Sequence, residues 1–408
     1  MPGIPHRIAL VSMHTSPTAQ PGTGDAGGMN VALSSLASEL AHRGVEVDLL
    51  TRAAGPPSET QLEPGITLHE IAAGPRGPIR KEDLASVSDE FGEAVAALAA
   101  RPNSGFEVIH AHYWLSGIAT LPVALEFGVP FVQSFHTLAA MKNSLAAPGA
   151  AREPDRRVQS EAYLASQATA IVAGSAAEAT FLIDSVRAPA KRVWVIPPGV
   201  DVDLFRPNRS EAQARVRADL AIGPDRPILV VVGRIQPLKD QELALRALAA
   251  VHARRGRAPV LVVVGEATPG DEGYASGLRA LAEELGIGQD VRFAGALNRT
   301  ELAQLFAAAA LTLVTSHSET FGLVALESAA SGTPVIAFRG SGMLESVSEG
   351  VSGVLVDSRD PVAWGATIAR LLDDEQLLAA LSASARDHAL GYTWAASATA
   401  LLGVYGSL

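Results

Sequence analysis

"PILVVVGRIQPLKD" (227–240) is an apolar, β-branched run that ends in a glycine and then offers two cations, Arg234 and Lys239. A continuous apolar run without polar alternation suits a strand covered on both faces, the habit of parallel sheets. A basic loop directly after such a strand lies where open α/β sheets bind ligands, at the carboxyl ends of the strands. Working outward, "PVLVVVG" (259–265), "VRFAG" (291–295), "LTLVTS" (311–316) and "PVIAF" (334–338) repeat the pattern. Amphipathic, alanine-rich stretches separate them, and strands alternating with helices predict parallel sheets with right-handed crossovers.

The first half carries the same rhythm. Strands are predicted at "RIALVSM" (7–13), "VEVDLLT" (45–51), "EVIHAH" (107–112), "PFVQSF" (130–135), "AIVAG" (170–174) and "RVWVIP" (192–197). "NVALSSLASELAHRG" (30–44) reads as a helix closed by a histidine, an arginine and a capping glycine. "IPPGVDVDLFRPN" (196–208), rich in proline and glycine, reads as a linker. The expected fold is therefore α/β, with two doubly wound, Rossmann-like domains at 1–200 and 201–391 facing across a cleft. The last stretch, 392–408 with "YTWAASATALLGVYG" (392–406), either closes the second domain or crosses back to the first.

Composition narrows the function. The chain has 408 residues, 48% hydrophobic and 18% charged, which is ample for two or three domains with sizeable cores. A net charge of -11 argues against a general nucleic-acid binder, which needs a basic face. Without a single cysteine, disulfides, thiolate catalysis and cysteine-ligated metal sites are excluded. "MPGIPHRIALVS" runs directly into a strand and does not resemble a secretory leader. The longest apolar stretch, around "LFAAAALTLV", is well short of the roughly 18–20 residues that span a bilayer. A cytoplasmic enzyme with no membrane or nucleic-acid partner is the leading expectation.

Four motifs follow strands. "QPGTGDAGGMN" (20–30) lies between the first strand and the first helix, where exposed backbone N–H groups and a helix start make an anion site. It has neither the close G-x-G-x-x-G spacing nor a Walker lysine, and the plain alternative is a loop without a ligand. "VGRIQPLKD" (232–240) supplies a guanidinium fork and a point charge suited to a diphosphate, unless both are merely solvated. In "SETFGLVALESAASGTPVIA" (318–337), Glu319 lies in a turn and Glu327 on the following helix. The neighbours of Glu327 are apolar or small, so burial would be expensive without a partner, which favours a ligand hydroxyl. "HAHYWLSG" (110–117) and "SFHTLAAMKNS" (134–144) bring histidines and aromatics to two strand ends, while "RKED" (80–83) and "EPDRR" (153–157) add cations. Taken singly, each of these passes as structural or as a solvated charge run.

Together the motifs resemble a known family. "SETFGLVALE", with "GRIQPLK" upstream, is similar to the glutamate–seven residues–glutamate signature and the G-R-x-x-x-x-K loop of retaining family 4 glycosyltransferases of GT-B fold. "SMHTSPTAQPGTGDAGGMN", "HAHYWLSG" and "FHTLAAMKNS" resemble the D-inositol-3-phosphate glycosyltransferases of mycothiol biosynthesis, over about residues 7–400. The resemblance implies retaining transfer of N-acetylglucosamine from UDP-GlcNAc to 1D-myo-inositol 3-phosphate. It implies an acceptor site of His14, the turn Asp25, Ala26, Gly27, Gly28, Met29 and Asn30, Lys81, Tyr113, Thr137 and Arg157. Arg157 is taken rather than Arg156 because it lies four residues before Glu161. The donor site implied is Gln20, Pro21, Gly28, Arg234, Lys239, Glu319 and Glu327, with His136 beside the transferred sugar. His136, Arg234, Lys239 and Glu319 form the implied catalytic group. No cofactor is required for the chemistry, but a structural magnesium ion is implied near Phe306, Ala307, Ala308 and Thr333.

Departures from the family pattern fall in the second half. "FRGSGMLESV" (338–347) has a serine where a glycine pair is usual, and "ALNRTEL" differs in wording; both lie in the half implied to hold the donor's sugar and nucleotide. Rival expectations are a sucrose-phosphate-synthase-like transferase, a dinucleotide-dependent oxidoreductase and a non-catalytic sugar-nucleotide sensor. Oligomeric state is left open, a homodimer being one option.

Overall fold

The computed structural model describes residues 3–102, 105–145, 152–256, 259–340 and 342–408, and they form two compact α/β units. Residues 3–19, 28–197 and 394–408 belong to the first; residues 20–27 and 198–393 belong to the second. The serine of "FRGSG", Ser341, lies outside the described residues.

The first sheet has eight strands: β1 (Arg7–Val11), β2 (Glu46–Arg52), β3 (Ser58–Glu63), β4 (Ile66–Ile71), β5 (Val108–His112), β6 (Phe131–Ser134), β7 (Ala170–Ala173) and β8 (Val193–Val195). Their order is β3-β4-β2-β1-β5-β6-β7-β8, and every pair is parallel except β3 with β4. The second sheet is wholly parallel, in the order β11-β10-β9-β12-β13-β14. Its strands are β9 (Ile228–Val232), β10 (Val260–Val264), β11 (Val291–Gly295), β12 (Leu311–Val314), β13 (Val335–Phe338) and β14 (Gly353–Val356).

Alternate residues of each central strand enter different cores, which is why the runs are apolar throughout. Ala9 and Val11 join Phe91, Leu115 and Phe135, while Ile8 and Leu10 join Leu40, Leu401 and Leu402. In the second unit, Leu229 and Val231 meet Leu248 and Trp364, while Ile228 and Val230 meet Phe306 and Leu326. Strands β3, β4 and β14 are not among those predicted from the sequence. Strand β3 is an edge with all six residues exposed, so it has no apolar periodicity to read.

The helix Trp394–Tyr405 packs within the first unit, with Leu401 and Tyr405 in the same core as Ile8 and Leu10. Strand order reverses between β1 and β5 and again between β9 and β12. Such switch points open a crevice beyond the carboxyl ends of the strands, and the candidate residues cluster at both.

Candidate functional site

In the first unit, Tyr113 directly follows β5 and holds the centre. The His14 ring, just past β1, lies 4.4 Å from the Tyr113 ring. Lys81 Nζ and the Arg157 guanidinium carbon each lie 4.8 Å from the same ring centroid. Two cations against one aromatic ring repel each other, so the arrangement favours an anion nearby. Tyr113 has φ 73° and His136 has φ 59°. Positive φ in bulky residues is a strained state that clusters at functional sites.

Arg157 lies on the helix Asp155–Gln167 and is held on all sides. Its Nε donates to Glu161 at 2.7 Å, and Nη2 donates to the Thr137 carbonyl at 3.1 Å and hydroxyl at 2.9 Å. Nη1 meets Glu153 at 2.9 Å, and Glu153 also pairs with Lys142. Burial works against the Arg157 charge, but Tyr113, Glu161 and Glu153 carry its pKa above the ordinary value. Burial pushes the Glu161 carboxyl up despite Arg157 and the donated Ala139 N–H at 2.7 Å. Glu153 is half-buried, which raises its pKa, yet Arg157 and Lys142 hold it below the usual carboxylate range. Glu153 and Lys142 lie inside the quoted "EPDRR" and "SFHTLAAMKNS" stretches but carry no individual role in the sequence reading. The signal for Glu153 was its four-residue spacing from Arg157, which with Glu161 one turn further on lines up three charges at the start of the helix.

The glycine-rich turn is divided. Gly28, Met29 and Asn30 open the helix Gly28–Ala41 in the first unit, and the buried Asn30 amide donates to Thr15 Oγ1 at 3.0 Å and Ser16 O at 2.7 Å. Gln20, Pro21, Asp25, Ala26 and Gly27 group with the second unit instead. There the Gly22 N–H donates to the Ala26 carbonyl at 3.0 Å, with φ 90° at Gly22, and the Glu266 N–H donates to the Gly22 carbonyl at 3.2 Å. Asp25 meets Arg234 Nη1 at 3.4 Å.

The second cluster occupies the loops after β9 and β12. Lys239 Nζ donates to Glu319 Oε1 at 2.5 Å, and Ser316 Oγ donates to the same oxygen at 2.6 Å. The loops are locked together by Thr315, whose hydroxyl donates to the Lys239 carbonyl at 2.9 Å, and by Arg359, which pairs with Asp240 and donates to the Thr315 carbonyl at 2.6 Å. The Gly342 N–H donates to the Glu319 carbonyl at 2.9 Å, and a Cβ at Gly342 would stand 2.2 Å from the Thr320 carbonyl oxygen. Arg234 and Lys239 share one loop but have different partners, Asp25 and Glu319.

Glu327 lies buried on the helix Leu323–Ala330, and its partner is Arg299 at 2.9 Å. Burial pushes its pKa up while Arg299 opposes that shift. Burial alone therefore does not require a ligand for Glu327, because Arg299, 28 residues upstream, pairs with its Oε1.

Phe306, Ala307 and Ala308 end the helix Arg299–Ala308, and the Thr333 hydroxyl donates to the Phe306 carbonyl at 2.6 Å. A hydroxyl hydrogen thus already meets the negative helix end. The four residues contain no carboxylate, whereas magnesium is usually bound through one or two. No cluster of three or more His, Asp or Glu with metal-holding geometry occurs among the described residues. This set does not fit a magnesium ion. Nor is any helix among the described residues long and apolar enough to cross a membrane.

Comparison with known proteins places these clusters in context. Residues 26–204 match the model of Glycosyltransferase Family 4, and residues 212–388 match that of glycosyl transferases group 1. D-inositol 3-phosphate glycosyltransferase of Acidothermus cellulolyticus is 42% identical, covering 99% of this chain and 91% of the relative. That of Thermobispora bispora is 44% identical, covering 98% and 94%. Sucrose-phosphate synthase from Thermosynechococcus elongatus superposes with a TM-score of 0.88 at 31% identity, covering 98% of each chain. The Anabaena protein HepE, solved in complex with UDP-glucose, gives 0.80 at 19% identity over 98% of this chain and all of that one, a likeness of fold.

Proposed function

Since the chain belongs to the D-inositol 3-phosphate glycosyltransferases, enzymes of GT-B fold, we propose that it moves N-acetylglucosamine from UDP-GlcNAc to 1D-myo-inositol 3-phosphate, retaining the anomeric configuration, as a first step of mycothiol assembly. The observation that carries the acceptor is the pair of cations, Lys81 and Arg157, over the Tyr113 ring. A phosphate dianion relieves their repulsion and accepts charge-assisted hydrogen bonds from both. His14, Thr137 and the turn Asp25–Asn30 complete the acceptor's contacts in this reading.

The donor's diphosphate is assigned to Arg234 and Lys239, its hydroxyls to Glu319 and Glu327, and its approach to the backbone at Gln20, Pro21 and Gly28. Retention without a protein nucleophile fits a front-face route. The bond from sugar to UDP loosens, the acceptor hydroxyl attacks from the leaving group's side, and the departing phosphate oxygen takes its proton. The protein's work is then positioning and stabilising charge that grows on the leaving group.

The test measures UDP release from UDP-GlcNAc and from UDP-glucose, each with inositol 3-phosphate, unphosphorylated inositol or no acceptor. Release from UDP-GlcNAc that depends on inositol 3-phosphate is expected. The likeness to sucrose-phosphate synthase supports a second reading, transfer from another nucleotide sugar to a phosphorylated sugar. Turnover confined to a hexose phosphate acceptor, with none on inositol 3-phosphate, would replace the first reading by the second.

A further inference from the structure

Strand β5 and the turn after β6 bring three imidazoles into one stack. The rings of His110 and His112 lie 4.2 Å apart, and those of His112 and His136 lie 5.1 Å apart. His110 has both nitrogens engaged, Nδ1 with the Tyr405 hydroxyl at 2.7 Å and Nε2 with the Ser134 hydroxyl at 2.9 Å. A hydroxyl can donate or accept, so either tautomer of His110 is served. His112 differs. Its Nδ1 lies 2.8 Å from His136 Nε2, while its own Nε2 is buried without a partner.

The hydrogen between His112 and His136 can belong to either ring. If His136 Nε2–H donates, His112 accepts at Nδ1 and must carry its own hydrogen on the orphaned Nε2. A buried, unpaired N–H is rarer and more costly than an unpaired lone pair. If His112 Nδ1–H donates, the orphan is only a lone pair. We infer that His112 is a positioning residue that donates from Nδ1 to Nε2 of His136 and so fixes His136 as its Nδ1–H tautomer. Neutral rings agree with this: burial pushes His110 down to about 3 and His136 to about 4, and holds His112 well below its ordinary value.

The consequence rests on the reading of His136 as the side chain beside the transferred sugar. Its Nε2 lone pair is engaged by His112, and its Nδ1 carries a hydrogen. Neither nitrogen is then a general base. His136 donates a hydrogen bond to a substrate oxygen, and the acceptor hydroxyl's proton leaves by another route, as the front-face mechanism requires.

Nitrogen-15 histidine spectra of the full chain without ligands, correlating each ring nitrogen with the ring C–H protons, read the tautomer directly. Loss of one pattern in His136→Gln assigns it. The expected wild-type pattern for His136 is Nδ1–H, the minor tautomer of free histidine. In His112→Phe, which keeps a ring but has no donor, the pattern shifts to Nε2–H, and turnover falls about two- to ten-fold with donor KM little changed. His112→Asn places an amide donor near the lost Nδ1 and restores the Nδ1–H pattern. A wild-type His136 in the Nε2–H form overturns the inference without any variant having to fold, and so does an unchanged pattern in His112→Phe. These spectra need no substrate, so failure of the UDP-GlcNAc assay leaves the tautomer result standing, and the reverse holds too.

Discussion

Replacing Lys239 by alanine separates transition-state stabilisation from simple donor binding. Lys239 and Glu319 are each about one-fifth exposed and meet at 2.5 Å, with Ser316 also bonded to the carboxylate. A pair this accessible contributes on the order of 1 kcal/mol to stability, so the melting midpoint of Lys239→Ala falls by about 2–4 °C and the protein stays folded. The catalytic loss is larger. A cation about 4 Å from a developing unit charge, at an effective dielectric near 20, is worth about 4 kcal/mol. Glu319 absorbs part of that field, which brings the value toward the ~2.7–4 kcal/mol seen on removing one preorganised donor. Turnover is therefore expected to fall about 10²- to 10³-fold, with donor KM moving less than about ten-fold. Steady-state kinetics with varied UDP-GlcNAc and saturating acceptor measure both. An unchanged kcat with only a raised donor KM would falsify the assignment, because it would make the lysine a uniform binder.

Arg157→Ala has two separable effects, because its guanidinium neutralises the buried Glu161. Stability is expected to drop by about 3–5 kcal/mol by chemical denaturation, and Arg157→Met with Glu161→Gln recovers much of it. The double variant still loses about ten- to a hundred-fold of the preference for phosphorylated over unphosphorylated inositol; an intact preference counts against the phosphate role. The histidine stack sets a pH dependence. His110 and His136 titrate near 3 and 4 when folded but near 6.5 when unfolded, so stability is full above about pH 6.5 and declines as pH falls toward 4. Denaturation midpoints that stay flat between about pH 6.5 and 5 contradict a neutral buried stack. Gly265→Ala meets both φ +130° and a Cβ 2.1 Å from the Gly233 carbonyl oxygen. It should cost at least about 1–3 kcal/mol, and an unshifted melting curve refutes the close approach of the turns after β9 and β10.

The amino-acid sequence determined what depends on local chemistry. Apolar β-branched runs such as 228–232 read as strands covered on both faces, and the helices between them call for parallel connections. The loops that carry Arg234, Lys239, Glu319, His14 and Tyr113 were legible because each directly follows such a strand. Pairing was decided elsewhere, because an ion pair or hydrogen bond depends on distance in space and not along the chain. Arg299 meets Glu327 across 28 residues, Tyr405 meets His110 across 295, and residues 20–27 group with the second unit although they lie near the start of the chain. The tertiary structure also decided that His112 keeps one nitrogen without a partner, a matter of burial and orientation that no spacing rule encodes.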